Sequence, residues 1–224
     1  MSDGPTALVT GFDPFGGHAI NPSAEIASRL DGRHVAQVRI VGRVLPVDLV
    51  NLGGALDKIL AESRPDMVIA LGLAASEPVI RLERVALNVA DFTTPDNAGA
   101  VRRNTPLDPA GPDARLSRLP LEAIYDAILA AGIPARLSET AGLYLCNALM
   151  YRLLGRLPPG IPGGFIHLPP LPGQIAEAIR NAGGRVAERG ANLASMALDL
   201  QTRAIEIAVE TTARAAAASA VPNA

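Results

Sequence analysis

Cysteine is almost missing from this chain of 224 residues: Cys146 is the only one. One cysteine makes no internal disulfide, which excludes a disulfide-stapled secreted scaffold and makes a reducing cytoplasm the natural setting. Three His and one Cys, scattered without ligand spacing, give no reason to expect a zinc site. Aromatics are scarce, with four Phe, three Tyr and no Trp, and the net charge is -2. The sequence therefore offers neither a basic stripe nor a stacking surface, and nucleic acid is not expected as a partner. Lys58 is the only lysine, a bias towards Arg that reads as genomic composition rather than chemistry. No apolar run approaches the roughly 18 to 20 residues that span a bilayer. The start, Met1-Ser2-Asp3-Gly4-Pro5, lacks the basic and apolar parts of a signal peptide, so no membrane association is expected.

What is present is enough apolar sequence for a sizeable core: 49% of residues are hydrophobic. No repeat or composition break divides the chain, so residues 1–224 read as a single domain, with 1–5 and 220–224 as flexible ends. Thr6 to Thr10 and Met67 to Leu71 are continuous β-rich runs, ending at Gly11 and Gly72, and read as strands buried on both faces. Val35 to Val44 reads as a strand between them. A helix over Ala24–Leu30 has Ser23 as its N-cap, and a helix over Asp48–Glu62 is weakened in the middle by Gly53-Gly54. Strand, helix, strand, helix, strand is the order of a parallel sheet with covering helices. Ile80 to Val89 reads as a strand or strand pair. Asp91 to about Arg118 is a long polar loop, a lid or a subunit contact. A helix over Pro120–Ala131, a short strand at Ala135–Leu137, a last buried strand at Gly164–Pro169 and a helical tail from Gln174 follow, the tail interrupted at Gly183-Gly184 and ending in a long helix over Leu198–Ala218. The expected class is α/β: a mostly parallel twisted sheet with helices on both faces.

Four features carry chemistry. The loop GFDPFGG, Gly11 to Gly17, holds two of the four Phe, Phe12 and Phe15, at the carboxyl end of a strand, where open α/β sheets bind ligands. The rings either tuck under the loop or line a site. Its Gly pair is followed by no Lys-Ser/Thr and fits no dinucleotide fingerprint. Cys146 stands where an extended segment enters a helix, so free N–H groups there stabilise a thiolate; alternatively it is a small buried hydrophobe. His167 ends an apolar strand at the same sheet edge, within reach of Cys146 although 21 positions separate them. Cys with His is the minimum for thiol nucleophilic catalysis, and a carboxylate completes the geometry. Glu83, embedded in an apolar strand beside Arg84, either faces solvent or is that carboxylate.

Over about Thr6 to Glu210 the sequence resembles the pyroglutamyl peptidase I family of cysteine peptidases. The matching stretches are GFDPFGG with Asn21-Pro22-Ser23, Glu83 to Asn88, Pro95-Asp96-Asn97, Ala141-Gly142 to Cys146-Asn147, Met150-Tyr151, Gly164 to His167 and Ser195 to Asp199. The resemblance implies an α/β/α enzyme of the cytosol that needs no metal or cofactor, often assembles as a homo-oligomer up to a tetramer, and removes an N-terminal pyroglutamyl residue from peptides. It places the nucleophile at Cys146, the base at His167 and the orienting acid at Glu83. It makes Phe12, Phe15 and Tyr144 walls of the pyroglutamyl pocket, with the Asn21 loop among the partners of the lactam. Some positions depart from the family pattern. Leu73 stands where a substrate-contacting Gln is common, Ala75-Ser76-Glu77 where Gly-Gly-Arg is, Thr93 or Thr94 where an Arg is, and Pro172-Gly173-Gln174 where Pro-Glu-Gln is. The change at Glu77 reverses a charge close to Glu83. These departures leave open a related thiol amidohydrolase with a shifted substrate, or a catalytically weak homologue that binds pyroglutamyl peptides.

Overall fold

Strands covered on both faces read as continuous apolar runs with few polar residues. In the computed structural model of the chain, which describes residues 4–181 and 194–220, β1 (Thr6–Phe12), β4 (Met67–Leu73) and β10 (Gly163–Leu168) are buried at every position. β3 (Val38–Leu45) runs parallel to β1, with Phe12 opposite Leu45. β4 pairs with the other side of β1 and β10 with β4, again in parallel. Beyond this parallel core the sheet turns mixed. β5 (Ile80–Leu87) is antiparallel to β10, and its far side is shared by β9 (Ala135–Thr140), parallel, and β8 (Ala114–Leu116), antiparallel. β2 (His34–Val35) closes the opposite edge on β3. The order is β2-β3-β1-β4-β10-β5-β8.

Helices cover both faces. α1 (Pro22–Leu30), α3 (Leu121–Ala130) and α6 (Leu198–Ala220) lie on one side, α2 (Leu52–Ser63) and α4 (Leu145–Arg156) on the other, and α5 (Pro172–Asn181) follows β10. Strand alternation divides the core accordingly. Met67, Ile69 and Leu71 of β4 pack with Ile26, Ile124 and Ile205, whereas Val68 and Ala70 pack with Leu52, Leu56 and Leu149. α1 approaches the sheet so closely that side chains are excluded beneath it. A Cβ on Gly11 would lie 2.2 Å from the Ser23 carbonyl oxygen, and one on Gly42 1.8 Å from that of Ala27.

Several local expectations give way to this geometry. Gly11 and Gly72 do not end their strands; both lie inside them. Gly11 makes room for a helix. The run Val35–Val44 is a hairpin and a strand, because Ala36 and Gln37 take positive φ values of 47° and 67° and reverse the chain. α1 starts two residues early: Asn21, not Ser23, is the N-cap, accepting from the Ser23 N–H, and Pro22 takes the first helical position that suits its missing N–H. In α2 Gly53-Gly54 falls in the first turn, because the Asp48 carboxylate accepts from the Val50 and Asn51 N–H groups and holds that segment as a turn. Residues 91–118 are not a structureless loop. β6 (Ala90–Phe92) and β7 (Arg102–Thr105) form an antiparallel pair, and β8 adds an edge to the main sheet. Gly183-Gly184 and the chain ends 1–3 and 221–224 lie outside the described residues. Among the described residues no helix is long and apolar enough to cross a membrane.

Candidate active site

The start of α4 is built without a side-chain cap. Tyr144 occupies the N-cap in an extended conformation, and the first helical bond runs from the Ala148 N–H to the Tyr144 carbonyl at 3.1 Å. The N–H groups ahead of Ala148 are those a helix leaves without intrahelical partners, and they carry its positive dipole end. Cys146, half-buried, is the second residue of this turn. Two neighbours fix where it sits. Asn147 is fully buried; its Oδ1 accepts from the Leu87 N–H at 2.8 Å, and its Nδ2 donates to the Leu87 and Val89 carbonyls, both at 2.9 Å. The helix start is thereby tied to the end of β5. Gly72 supplies the space: a Cβ there would lie 2.8 Å from Cys146 Sγ and 2.7 Å from the Phe165 ring.

His167 stands opposite Gly72 of β4 and Arg81 of β5, and Glu83 stands opposite Phe165. Alternation puts His167, Phe165, Arg81 and Glu83 on the sheet face that α4 covers. Glu83 is fully buried, and its Oε1 lies 2.7 Å from His167 Nδ1. The Phe165 ring packs against the imidazole with centroids 4.8 Å apart. Burial opposes a charge on His167. The neighbouring Cys146 sulfur, which also hydrogen-bonds to it, and the Glu83 carboxylate outweigh burial and raise its pKa to about 9. Sulfur, imidazole and carboxylate, brought from three separate segments, thus form one hydrogen-bonded chain. A sulfur beside an imidazole that stays protonated at neutral pH, with a carboxylate behind it, is an arrangement suited to attack on an acyl carbon.

An aromatic wall stands beside the sulfur. Tyr144 lies 6.1 Å from Phe15 and meets Phe92 edge-on at 4.7 Å, and its hydroxyl donates to the Pro95 carbonyl at 3.3 Å. Burial, followed by the charges of Asp96 and Cys146, pushes the Tyr144 hydroxyl up to about 12, so it stays protonated. Phe92 escaped the sequence reading; its signal was an aromatic beside the Pro95-Asp96-Asn97 motif. That motif is a latch. Asp96, buried, accepts from the N–H groups of Leu49, Ala98 and Ala100, and Asn97 Nδ2 donates to the Pro14 carbonyl of the GFDPFGG loop at 3.0 Å.

The two Phe of that loop part company. Phe12 is buried in the core with Leu45 and Val47, while Phe15 is half-buried and faces Tyr144. Asn21 is buried and committed to the loop, where its Oδ1 accepts from Ser23 and its Nδ2 donates to the Asp13 carbonyl. Leu73 closes β4 opposite Leu168, and alternation turns its side chain to the sheet face away from Cys146. Glu77 does not oppose Glu83 directly. Arg81 stands between them, with its Nε 3.1 Å from Glu83 Oε1 and its Nη1 3.0 Å from Glu77 Oε1. Among the described residues, no group of three His, Cys, Asp or Glu is placed to hold a metal ion.

Comparison with known proteins matches this geometry to one family. The pyroglutamyl peptidase family pattern covers residues 6–215. The chain is 42% identical to pyrrolidone-carboxylate peptidase 2 of Photorhabdus laumondii over 94% of its own length and 92% of the relative's. It is 41% identical to the pyrrolidone-carboxylate peptidase of Pyrococcus furiosus over 91% and 95% of the two chains. Among solved structures, the pyrrolidone carboxyl peptidase from Thermococcus litoralis superposes with a TM-score of 0.89 at 34% identity, covering 98% of both chains. A mutant of the Pyrococcus furiosus enzyme superposes with a TM-score of 0.87 at 38% identity, covering 94% of this chain and 99% of that one. The chain belongs to the pyroglutamyl peptidase family of cysteine peptidases.

Proposed function

We propose that this protein is an exopeptidase that hydrolyses the amide bond following an N-terminal pyroglutamyl residue, with Cys146 as nucleophile, His167 as acid and base, and Glu83 as the group that orients His167. The observation that carries this reading is the continuous contact from Cys146 through His167 to the fully buried Glu83. The thiolate attacks the pyroglutamyl carbonyl carbon. The oxyanion develops beside the unpartnered N–H groups at the start of α4; each well-placed donor of this kind is worth about 2.7–4 kcal/mol. The His167 imidazolium gives its proton to the leaving amine as the C–N bond breaks, leaving a thioester on Cys146. Water then attacks the thioester, His167 takes the water's proton, and free pyroglutamate departs with the thiolate restored.

The pyroglutamyl ring is a flat, uncharged lactam. Phe15, Tyr144 and Phe92 offer it aromatic faces, Phe12 supports the loop from the core, and Asn21 holds that loop in shape. At Leu73 the group available to the lactam is the main chain at the strand end. Such a pocket rejects a free α-amine, whose unpaired burial costs several kcal/mol. The lone thiol suits a reducing cytoplasm, and self-association to a dimer or tetramer is part of the proposal, checked by light scattering of the purified chain. The decisive assay is release of an aromatic amine from a pyroglutamyl amide by wild type beside Cys146→Ser. We expect release by the former and none by the latter. No turnover by wild type at high enzyme concentration, with Cys146 shown to be reduced, would sink the proposal.

A further inference from the structure

The buried carboxylate of Glu83 has two ionic contacts among the described residues, His167 and Arg81. Its second oxygen, Oε2, is buried without a hydrogen-bond partner, and the Arg81 Nε that faces Oε1 is also without one. Arg81 therefore meets Glu83 as a fixed charge rather than through an aligned hydrogen bond. What fixes it lies on the other side of the guanidinium. Nη1 pairs with Glu77 Oε1 at 3.0 Å, and Nη2 donates to Ser138 Oγ at 2.8 Å and to the Thr140 carbonyl at 3.0 Å. Glu77 is itself held by Arg136, which reaches Oε1 at 2.9 Å and Oε2 at 3.3 Å. Burial works against the charge of Glu77, but Arg136 and Arg81 outweigh it and keep its carboxyl below the usual range. Charges thus alternate in sign from the surface at Arg136 through Glu77, Arg81 and Glu83 to His167.

We propose that Arg81 is a positioning residue for the reaction: its guanidinium, aimed by Glu77, Ser138 and Thr140, anchors the Glu83 carboxylate against His167, and Glu77 governs how much of the Arg81 charge the site feels. The inference rests on the triad reading above. A buried carboxylate with one partner removed is costly, and a charge placed opposite it holds it ionised and in place. Beyond Arg81, the groups facing Glu83 are His167 on β10, with Cys146 of α4 behind it. A positive charge at Arg81 opposes the binding of an extra proton anywhere along that chain. Removing it makes the chain easier to protonate and shifts its pH dependence upward. Removing the charge of Glu77, which partly neutralises Arg81, shifts it downward.

The test reads the rate of Cys146 alkylation by iodoacetamide across pH, which needs no peptide substrate, beside kcat/KM for a pyroglutamyl amide. Arg81→Met should move the midpoint of the alkylation profile up by about one pH unit. Glu77→Gln, which keeps the shape and one oxygen, should move it down by a smaller amount. Arg81→Lys should retain most of the wild-type midpoint, and Glu77→Gln should have no effect in the Arg81→Met background. Midpoints that stay put in both single variants, or move in the same direction, overturn the proposal. Should Arg81→Met lose its folded circular dichroism, Glu77→Gln and Arg81→Lys still decide the matter. If wild type ignores pyroglutamyl amides, the proposed substrate is wrong, yet the alkylation profiles still judge Arg81.

Discussion

Asn147 commits its entire side-chain amide to the backbone of residues 87 and 89, acting as a short piece of strand at the end of β5. Asn147→Ala would orphan one donor and two acceptors in a partly buried setting. We expect a loss of about 3 kcal/mol in urea unfolding, together with slower alkylation of Cys146, because the helix start loses its tie to the sheet. His167 makes a separate prediction. Its imidazolium persists up to about pH 9, so in the proposed mechanism the acid that protonates the leaving amine is present below that value and lost above it. Turnover of a pyroglutamyl amide should therefore fall as pH rises through about 9. A Cys146→Ser variant offers no thiolate to sustain the raised value, and its His167, followed by NMR, should titrate at lower pH. The two Phe of the loop should separate by measurement as they do by burial. Phe12→Ala should cost about 3–5 kcal/mol of stability, the range for a buried aromatic. Phe15→Ala should leave stability closer to wild type and raise KM.

At the scale of elements, Pro95-Asp96-Asn97 joins the β6–β7 pair to the GFDPFGG loop and to the segment before α2. Asp96→Ala removes the acceptor for three N–H groups at once, so the aromatic wall should lose its fixed spacing. The expected result is a lower thermal midpoint and a KM that rises more than kcat falls. Those elements show what sequence can convey. β1, β4 and β10 were readable because burial on both faces leaves an uninterrupted apolar signature, and α3 because its apolar face repeats at helical spacing. Cys146, His167 and Glu83 were readable as residue types at the ends and in the middle of such runs. The β6–β7 pair was not: β7 is Arg-Arg-Asn-Thr, polar throughout, and is held by the latch rather than by an apolar face. Nor was the answer to the reversed charge at Glu77, because it depends on Arg81 and Arg136 meeting across β5 and β9, a pairing that no local pattern announces.

Across the whole molecule, the two faces of the sheet do different work. α1 rests on Gly42 on one side, and Cys146 rests on Gly72 on the other. Gly42→Ala sets a methyl against helix backbone and should cost about 3 kcal/mol or more in urea unfolding, while Cys146 of the molecules still folded alkylates at the wild-type rate. Gly72→Ala should do the reverse, slowing alkylation several-fold in a protein that remains folded, because the methyl displaces the sulfur itself. Equal effects of the two on alkylation would contradict this division.

Among the described residues the strand that carries His167 is the last in sequence, yet it is seated between β4 and β5, in the middle of the sheet. Glu83 and Cys146 are therefore both made before the strand that carries His167 can slot between β4 and β5. Until that insertion Cys146 lacks its imidazole neighbour, and we expect it to alkylate slowly. In refolding experiments the burst of fast alkylation should arrive with the final rise in sheet signal and not before it. That outcome would make the order of segments along the chain a timer, withholding a reactive sulfur until the structure that governs it is complete.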